Sequence, residues 1–184
     1  MSGLKRIFGV MVFLVVLAFF MGVVAAADWN VSAGSSIQSV INGASDNDTV
    51  LVNDNNGTAC TYTENLVVNK RINLQAGSDL VTIQALNSSK PVITINSLGS
   101  GSTVKDFIIT GATSSSGIYL NAADNCIITG NDLTGNYDGI RLYKSVNNLI
   151  GDNKVNNNSR MGVYVYTNSS NNYIQNNFLT SNPY

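Results

Sequence analysis

Between residues 106 and 182, apolar and polar positions alternate in segments of three to five residues, and the segments return at a near-constant interval. Gly117-Ile118-Tyr119-Leu120, Gly139-Ile140-Arg141-Leu142 and Gly162-Val163-Tyr164-Val165 recur at spacings of 22 and 23. The pairs Asn125/Asn131, Asn147/Asn153 and Asn171/Asn177 are each six apart and recur at 22 and 24. Two residues after each second Asn stands an aliphatic: Leu133, Val155 and Leu179. Alternation of this length predicts strands, and no helical period competes with it. Three such strands per repeat are too short to build hairpins with cores of their own. They fit one coil of a parallel solenoid, in which each strand pairs with its equivalent about 4.8 Å along the axis. An all-β fold is expected: a single-stranded parallel β-helix of about 22 residues per turn, with Ile128, Ile150 and Ile174 sharing an interior column.

The chain holds 27 Asn, and "NNLIGDNKVNNN" at 147–158 carries six of them among Leu149, Ile150 and Val155. Asn is poor in helix interiors and strands, but it adopts the left-handed conformation at corners and bonds neighbouring backbone there. Equivalent Asn residues on successive coils are expected to stack, each amide donating to the next. Upstream, "SSIQSVINGAS" at 35–45 places Ile37, Val40 and Ile41 at helical spacing, with Ser35 or Ser36 as N-cap. A short amphipathic helix there predicts a lid over the apolar end of the solenoid. Strands of the first, less regular coils are expected around Val50, Leu66, Leu74, Ile83 and Ile93. The final "FLTSNPY" stops midway through a repeat. Truncation of the reading frame is the expectation, with a missing downstream domain or an end-to-end contact at an uncapped C-terminus as alternatives.

Before residue 28 the pattern changes. Lys5 and Arg6 precede the apolar run "IFGVMVFLVVLAFFMGVV" and Ala25-Ala26-Ala27. A basic region, an apolar core and small residues at the cleavage position predict a signal peptide over 1–27, leaving Asp28 as the new N-terminus. The run is also long enough to be kept as a membrane anchor. In either case the rest of the chain is exported, to the medium or the cell surface, and touches a membrane only through the leader. The expected organisation is therefore 1–27 signal peptide, 28–48 N-terminal segment with its capping helix, and 49–184 β-helix. Without Lys5 and Arg6, eight basic residues face eleven acidic ones, a balance of −3. No basic cluster remains, which argues against a nucleic-acid partner. Export makes a Cys60–Cys126 disulfide chemically permissible. The preferred reading keeps Cys126 free as a small buried hydrophobe in an aliphatic strand.

"SIQSVINGASDNDTVLVN" followed by "TYTENLVVNKRINLQA" resembles the opening of right-handed parallel β-helix proteins such as pectate lyases and pectin methylesterases. The "N-x-I-x-x-N" and "G-I-x-L" repeats are most similar to the Asn-rich β-helix of periplasmic copper-maturation proteins for nitrous oxide reductase, and to adhesin-like surface proteins. The resemblance covers roughly residues 35–184 and implies a fold more than a function, because the repeated residues are those that build coils.

Catalysis on uronate polymers, the activity of the lyase-type relatives, needs an acid or metal for the carboxylate and a base for the C5 proton. The available charged residues are Asp138, Arg141, Lys144, Asp152, Lys154 and Arg160. Asp138 and Arg141 flank one strand and form the alternative catalytic reading, but the chain has no paired-aspartate motif and no histidine. Copper favours His, Cys and Met, so no metal and no cofactor is expected. The favoured surface is an outward stripe of Tyr119, Asn121, Arg141, Tyr143, Tyr164 and Tyr166 on three stacked strands. Aromatic rings beside amide and guanidinium donors suit glycans or cell-wall polysaccharide, while the alternative is strand propensity alone, since Tyr is favoured on exposed β surfaces and stacks with itself. Six N-x-[ST] sequons, at Asn30, Asn47, Asn56, Asn87, Asn157 and Asn168, are candidate glycosylation positions. The reading that results is an exported, non-catalytic, adhesin-like β-helix module that binds carbohydrate.

Overall fold

The computed structural model describes residues 25–184, so the expected leader lies almost wholly outside the described residues. Short parallel strands stack into three sheets around one apolar interior, giving a β-solenoid of about six turns. Sheet A stacks Asp28–Val31, Thr49–Val52, Asn73–Ala76, Thr103–Lys105, Ile127–Thr129, Leu149–Gly151 and Tyr173–Gln175. Sheet B stacks Cys60–Thr63, Val81–Gln84, Ile108–Thr110, Asp132–Thr134, Lys154–Asn156 and Phe178–Thr180. Sheet C stacks Leu66–Val68, Ile93–Asn96, Ser116–Asn121, Asp138–Tyr143 and Met161–Tyr166.

Side chains one coil apart fall in register. Val50, Leu74, Val104, Ile128, Ile150 and Ile174 form one interior column. Tyr62, Ile83, Ile109, Leu133, Val155 and Leu179 form a second, on sheet B. All of these are buried until the last coil, where Ile174 and Leu179 are 46% and 47% exposed. Close packing also explains the repeated Gly of sheet C. A Cβ on Gly117 would sit 2.9 Å from the Gly139 carbonyl oxygen, and one on Gly139 would overlap Val155 Cγ1.

The corners carry the fold. On leaving sheet A the chain passes through a left-handed residue, Asp106, Gly130, Asp152 or Asn176 on successive coils. On leaving sheet B it does so at Gly111, Gly135, Asn157 and Ser181. Glycine, Asn and Asp dominate because the left-handed conformation is costly for other L-residues. The next residue then turns inward, and on the regular coils it is Asn. Asn131 donates through Nδ2 to Asn153 Oδ1 at 3.0 Å, and Asn153 does the same to Asn177. Each Oδ1 also accepts the backbone N–H of the preceding coil: Phe107 to Asn131, Asn131 to Asn153, Asn153 to Asn177. Asn153 Nδ2 further donates to the carbonyls of Ile128 and Gly151, both at 2.9 Å.

Asn136, Asn158 and Asn182 repeat the arrangement between sheets B and C. A third, shorter ladder joins Asn148 to Asn172. The other member of each sequence pair behaves differently. Asn125, Asn147 and Asn171 are exposed residues at φ +56, +58 and +55 that shape the corner before sheet A and do not ladder. Cys126 is free and buried, as expected, but lies outside the strand. It precedes its strand and occupies an inward ladder position, buried, its backbone N–H donating to Asn148 Oδ1 at 2.8 Å. Both cysteines are free thiols.

At the start, helix α1 (Ile37–Gly43) closes the interior with Ile37 and Ile41, both fully buried. Ser36 is the N-cap, accepting the Ser39 N–H. Glu64 reaches over from the first coil and takes the N–H groups of Ile37 and Gln38 at 2.7 and 3.1 Å. The strand Asp28–Val31, which periodicity did not reveal, extends sheet A under this lid. Asp48 ties it down by accepting Trp29 Nε1 at 2.8 Å.

Two substitutions separate ladder from corner. Asn153→Ala orphans buried donors and acceptors on two coils and is expected to cost about 3 kcal/mol or more. Asn147→Gly keeps the left-handed corner and is expected to change stability by less than about 0.5 kcal/mol. Urea denaturation of the two variants measures the difference.

Candidate functional site

Sheet C brings all six outward residues of the sequence reading together. Tyr119, Arg141 and Tyr164 align in one column, and Asn121, Tyr143 and Tyr166 in the next. Each is half-buried, because it lies against its neighbours. The Arg141 guanidinium sits between the Tyr119 and Tyr166 rings, 5.0 and 4.8 Å from their centroids. Its Nη2 donates to the Tyr166 hydroxyl. Tyr166 stacks on Tyr164 at 4.7 Å, nearly parallel. Arg160 lies between Tyr164 and Tyr137, at 4.7 and 4.8 Å. The result is a continuous pile of Tyr119, Arg141, Tyr166, Tyr164, Arg160 and Tyr137, with Tyr143 tilted against Tyr166 at 5.0 Å. Cation–π contacts of this kind contribute about 0.5–1 kcal/mol each where solvent reaches them.

Ring faces that looked available from the sequence are therefore largely covered by one another. The physical reason is that arginines on neighbouring rungs reach between the rings. Outward the surface offers ring edges, hydroxyls and amide or guanidinium N–H groups. Loss of surrounding water, and then the Tyr166 hydroxyl, push the Tyr119 phenol up to about 12, so it stays neutral. Arg141 Nε is buried without a hydrogen-bond partner among the described residues.

Arg160 and Tyr137 are members of this cluster that the outward alternation of the three strands did not include. Both directly precede a sheet C strand, one coil apart. Arg160 also answers what Asp138 does. Its Nε and Nη2 donate to the two Asp138 carboxylate oxygens at 2.7 and 2.5 Å. Asp138 is buried, and this carboxylate holds the Arg160 guanidinium above its ordinary value. The paired residues of the catalytic alternative, Asp138 and Arg141, are thus committed to different neighbours.

The remaining charged candidates are dispersed. Lys144 and Asp152 occupy left-handed corners, and Lys154 pairs with Asp132 at 2.8 Å on sheet B. Among the described residues no three His, Cys, Asp or Glu side chains converge as a metal cage. Cys60 opens the first strand of sheet B, three coils below Cys126, whose thiol is pushed up by burial. All six sequon asparagines are exposed, whereas the ladder asparagines 131, 136, 153 and 158 are buried.

A three-sheet parallel solenoid held by Asn ladders, with its outward side chains in columns, defines a β-helix repeat protein. Within that class the chain belongs to the family described as periplasmic copper-binding protein (NosD), whose model matches residues 27–184. Neither the curated proteins nor the solved structures contain a match to it. The family is periplasmic, in agreement with the export expected from the leader.

The ion pair is open to a double-mutant cycle. Arg160→Met leaves a buried carboxylate alone and is expected to destabilise by about 3 kcal/mol. Adding Asp138→Ser, the residue type of the previous rung at Ser116, is expected to recover most of that loss in urea denaturation.

Proposed function

We propose that this chain is a non-catalytic, adhesin-like β-helix module of the cell exterior that holds a polymeric glycan on sheet C. The single observation that carries this reading is the pre-stacked cluster of Tyr119, Arg141, Tyr143, Tyr164 and Tyr166 on three successive rungs. Side chains already locked by their neighbours lose little freedom when a ligand arrives, which lowers the cost of binding. The columns repeat with the rung spacing of about 4.8 Å, so a chain of sugars can meet several rungs at once. Hydroxyls, the Asn121 amide and guanidinium N–H groups supply donors and acceptors for sugar hydroxyls, while ring edges supply apolar contact.

Lyase or epimerase chemistry is not favoured, because its acid and its base have other partners: Asp138 is tied to Arg160, and Arg141 is wedged between two rings. Nor do the residues fit the copper of the family description. Copper takes imidazole, thiolate and thioether ligands. The chain has no His, its two thiols lie three coils apart, and Met161 is the one methionine outside the leader. The proposed activity therefore uses no metal.

A glycan array probed with the wild type and with Tyr143→Ala and Tyr164→Ala variants tests the reading. Retention of fold is checked by circular dichroism. Binding by the wild type, weakened about tenfold or more in either variant, is the expected outcome. No binding by the wild type, or equal binding by all three, overturns it.

A further inference from the structure

The corner column that leads into sheet A holds Asn47, Arg71, Gly101, Asn125, Asn147 and Asn171 on successive coils, each two residues before a registered strand position. All but Arg71 are left-handed, Gly101 at φ +79. Four of the six carry an Asn side chain outward. Gly101 carries none, and it lies in a notch of about 510 Å³, within the size range of small-ligand sites. Asn47, Asn73, Thr103, Asn125 and Ile127 border it.

Arg71 enters this notch from the coil below, its Nε and Cδ 3.1 and 3.2 Å from where a Gly101 Cβ would be. It makes no ion pair among the described residues, unlike Lys105, Lys154 and Arg160. The nearby carboxylates are turned to backbone groups: Asp46 Oδ1 accepts the Arg71 N–H, and Asp124 Oδ1 accepts the Val146 N–H. A guanidinium held beside exposed amides and a hydroxyl, with Ile127 40% exposed at the rim, has the makings of a carboxylate-recognition site.

We infer that the Gly101 notch is a second binding site, taking an acidic sugar whose carboxylate pairs with Arg71 and whose hydroxyls meet the bordering amides. This site is on a different sheet from the tyrosine cluster and stands independently of it.

The test is a titration of the full chain with a glucuronate oligosaccharide, its methyl ester and acetate. Chemical shifts of residues 100–103 and 125–127 report occupancy. The expected result is saturable binding of the glucuronate oligosaccharide, weakened at least about tenfold in Arg71→Gln, with the ester and acetate similarly weak. Gly101→Asn supplies the residue that other left-handed corners of the column already use, so it is compatible with folding, and it is expected to crowd Arg71 in the notch and weaken binding likewise. Tyr143→Ala and Tyr164→Ala are expected to leave these shifts unchanged. No shift with the wild type, undiminished binding in both Arg71→Gln and Gly101→Asn, or an ester that binds as well as the acid, would overturn the inference.

Discussion

A coil that turns every few residues must satisfy, inside an apolar interior, the backbone groups that each corner removes from the sheets. An unpaired buried N–H or C=O costs about 1–3 kcal/mol, and this chain turns several times per coil. Inward asparagines answer that requirement. One carbonyl oxygen accepts the N–H of the coil before, and one amide donates to two backbone carbonyls and to the next asparagine, as at Asn153. Because the bonds from asparagine to asparagine, and from backbone N–H to Oδ1, join equivalent positions of neighbouring coils, the ladder also sets the register, and the register sets the columns. Sheets, core and surface follow from it.

The same rule governs the exterior. A residue placed outward on one rung meets its counterpart on the next, so tyrosine and arginine in successive repeats become a pile rather than isolated side chains. Arg141 and Arg160 lie between rings instead of in water, and Asp138 finds its partner one coil away. At Gly101 the counterpart is missing, and the Arg71 side chain enters the notch there from the coil below. Function in such a protein resides in departures from, and elaborations of, a repeated surface.

The regular coils were legible because identical residue types recur at nearly one period, as with Ile128, Ile150 and Ile174. The Asn136–Asn158–Asn182 ladder recurs at the same intervals but is masked by the run Asn156–Asn158, in which only the structure tells which side chain turns inward. The Asp138–Arg160 pair is one period apart and was in principle readable as a contact; strand alternation alone does not report it, since Arg160 lies before its strand. Asn73 and Thr103 are register partners separated by 30 residues, longer than the repeat, so no periodicity search brings Arg71 beside Gly101. The covered ring faces depend on rotamers, which sequence spacing does not fix.

Native-state hydrogen exchange at the amides of Phe107, Asn131 and Asn153 tests the ladder most directly, because their N–H groups donate to asparagine side chains at 3.2, 3.1 and 3.0 Å. Protection comparable to that of the neighbouring strand amides is the result the ladder predicts. Exchange at these three positions at the rate of exposed loop amides, in a chain whose strands remain protected, would contradict it.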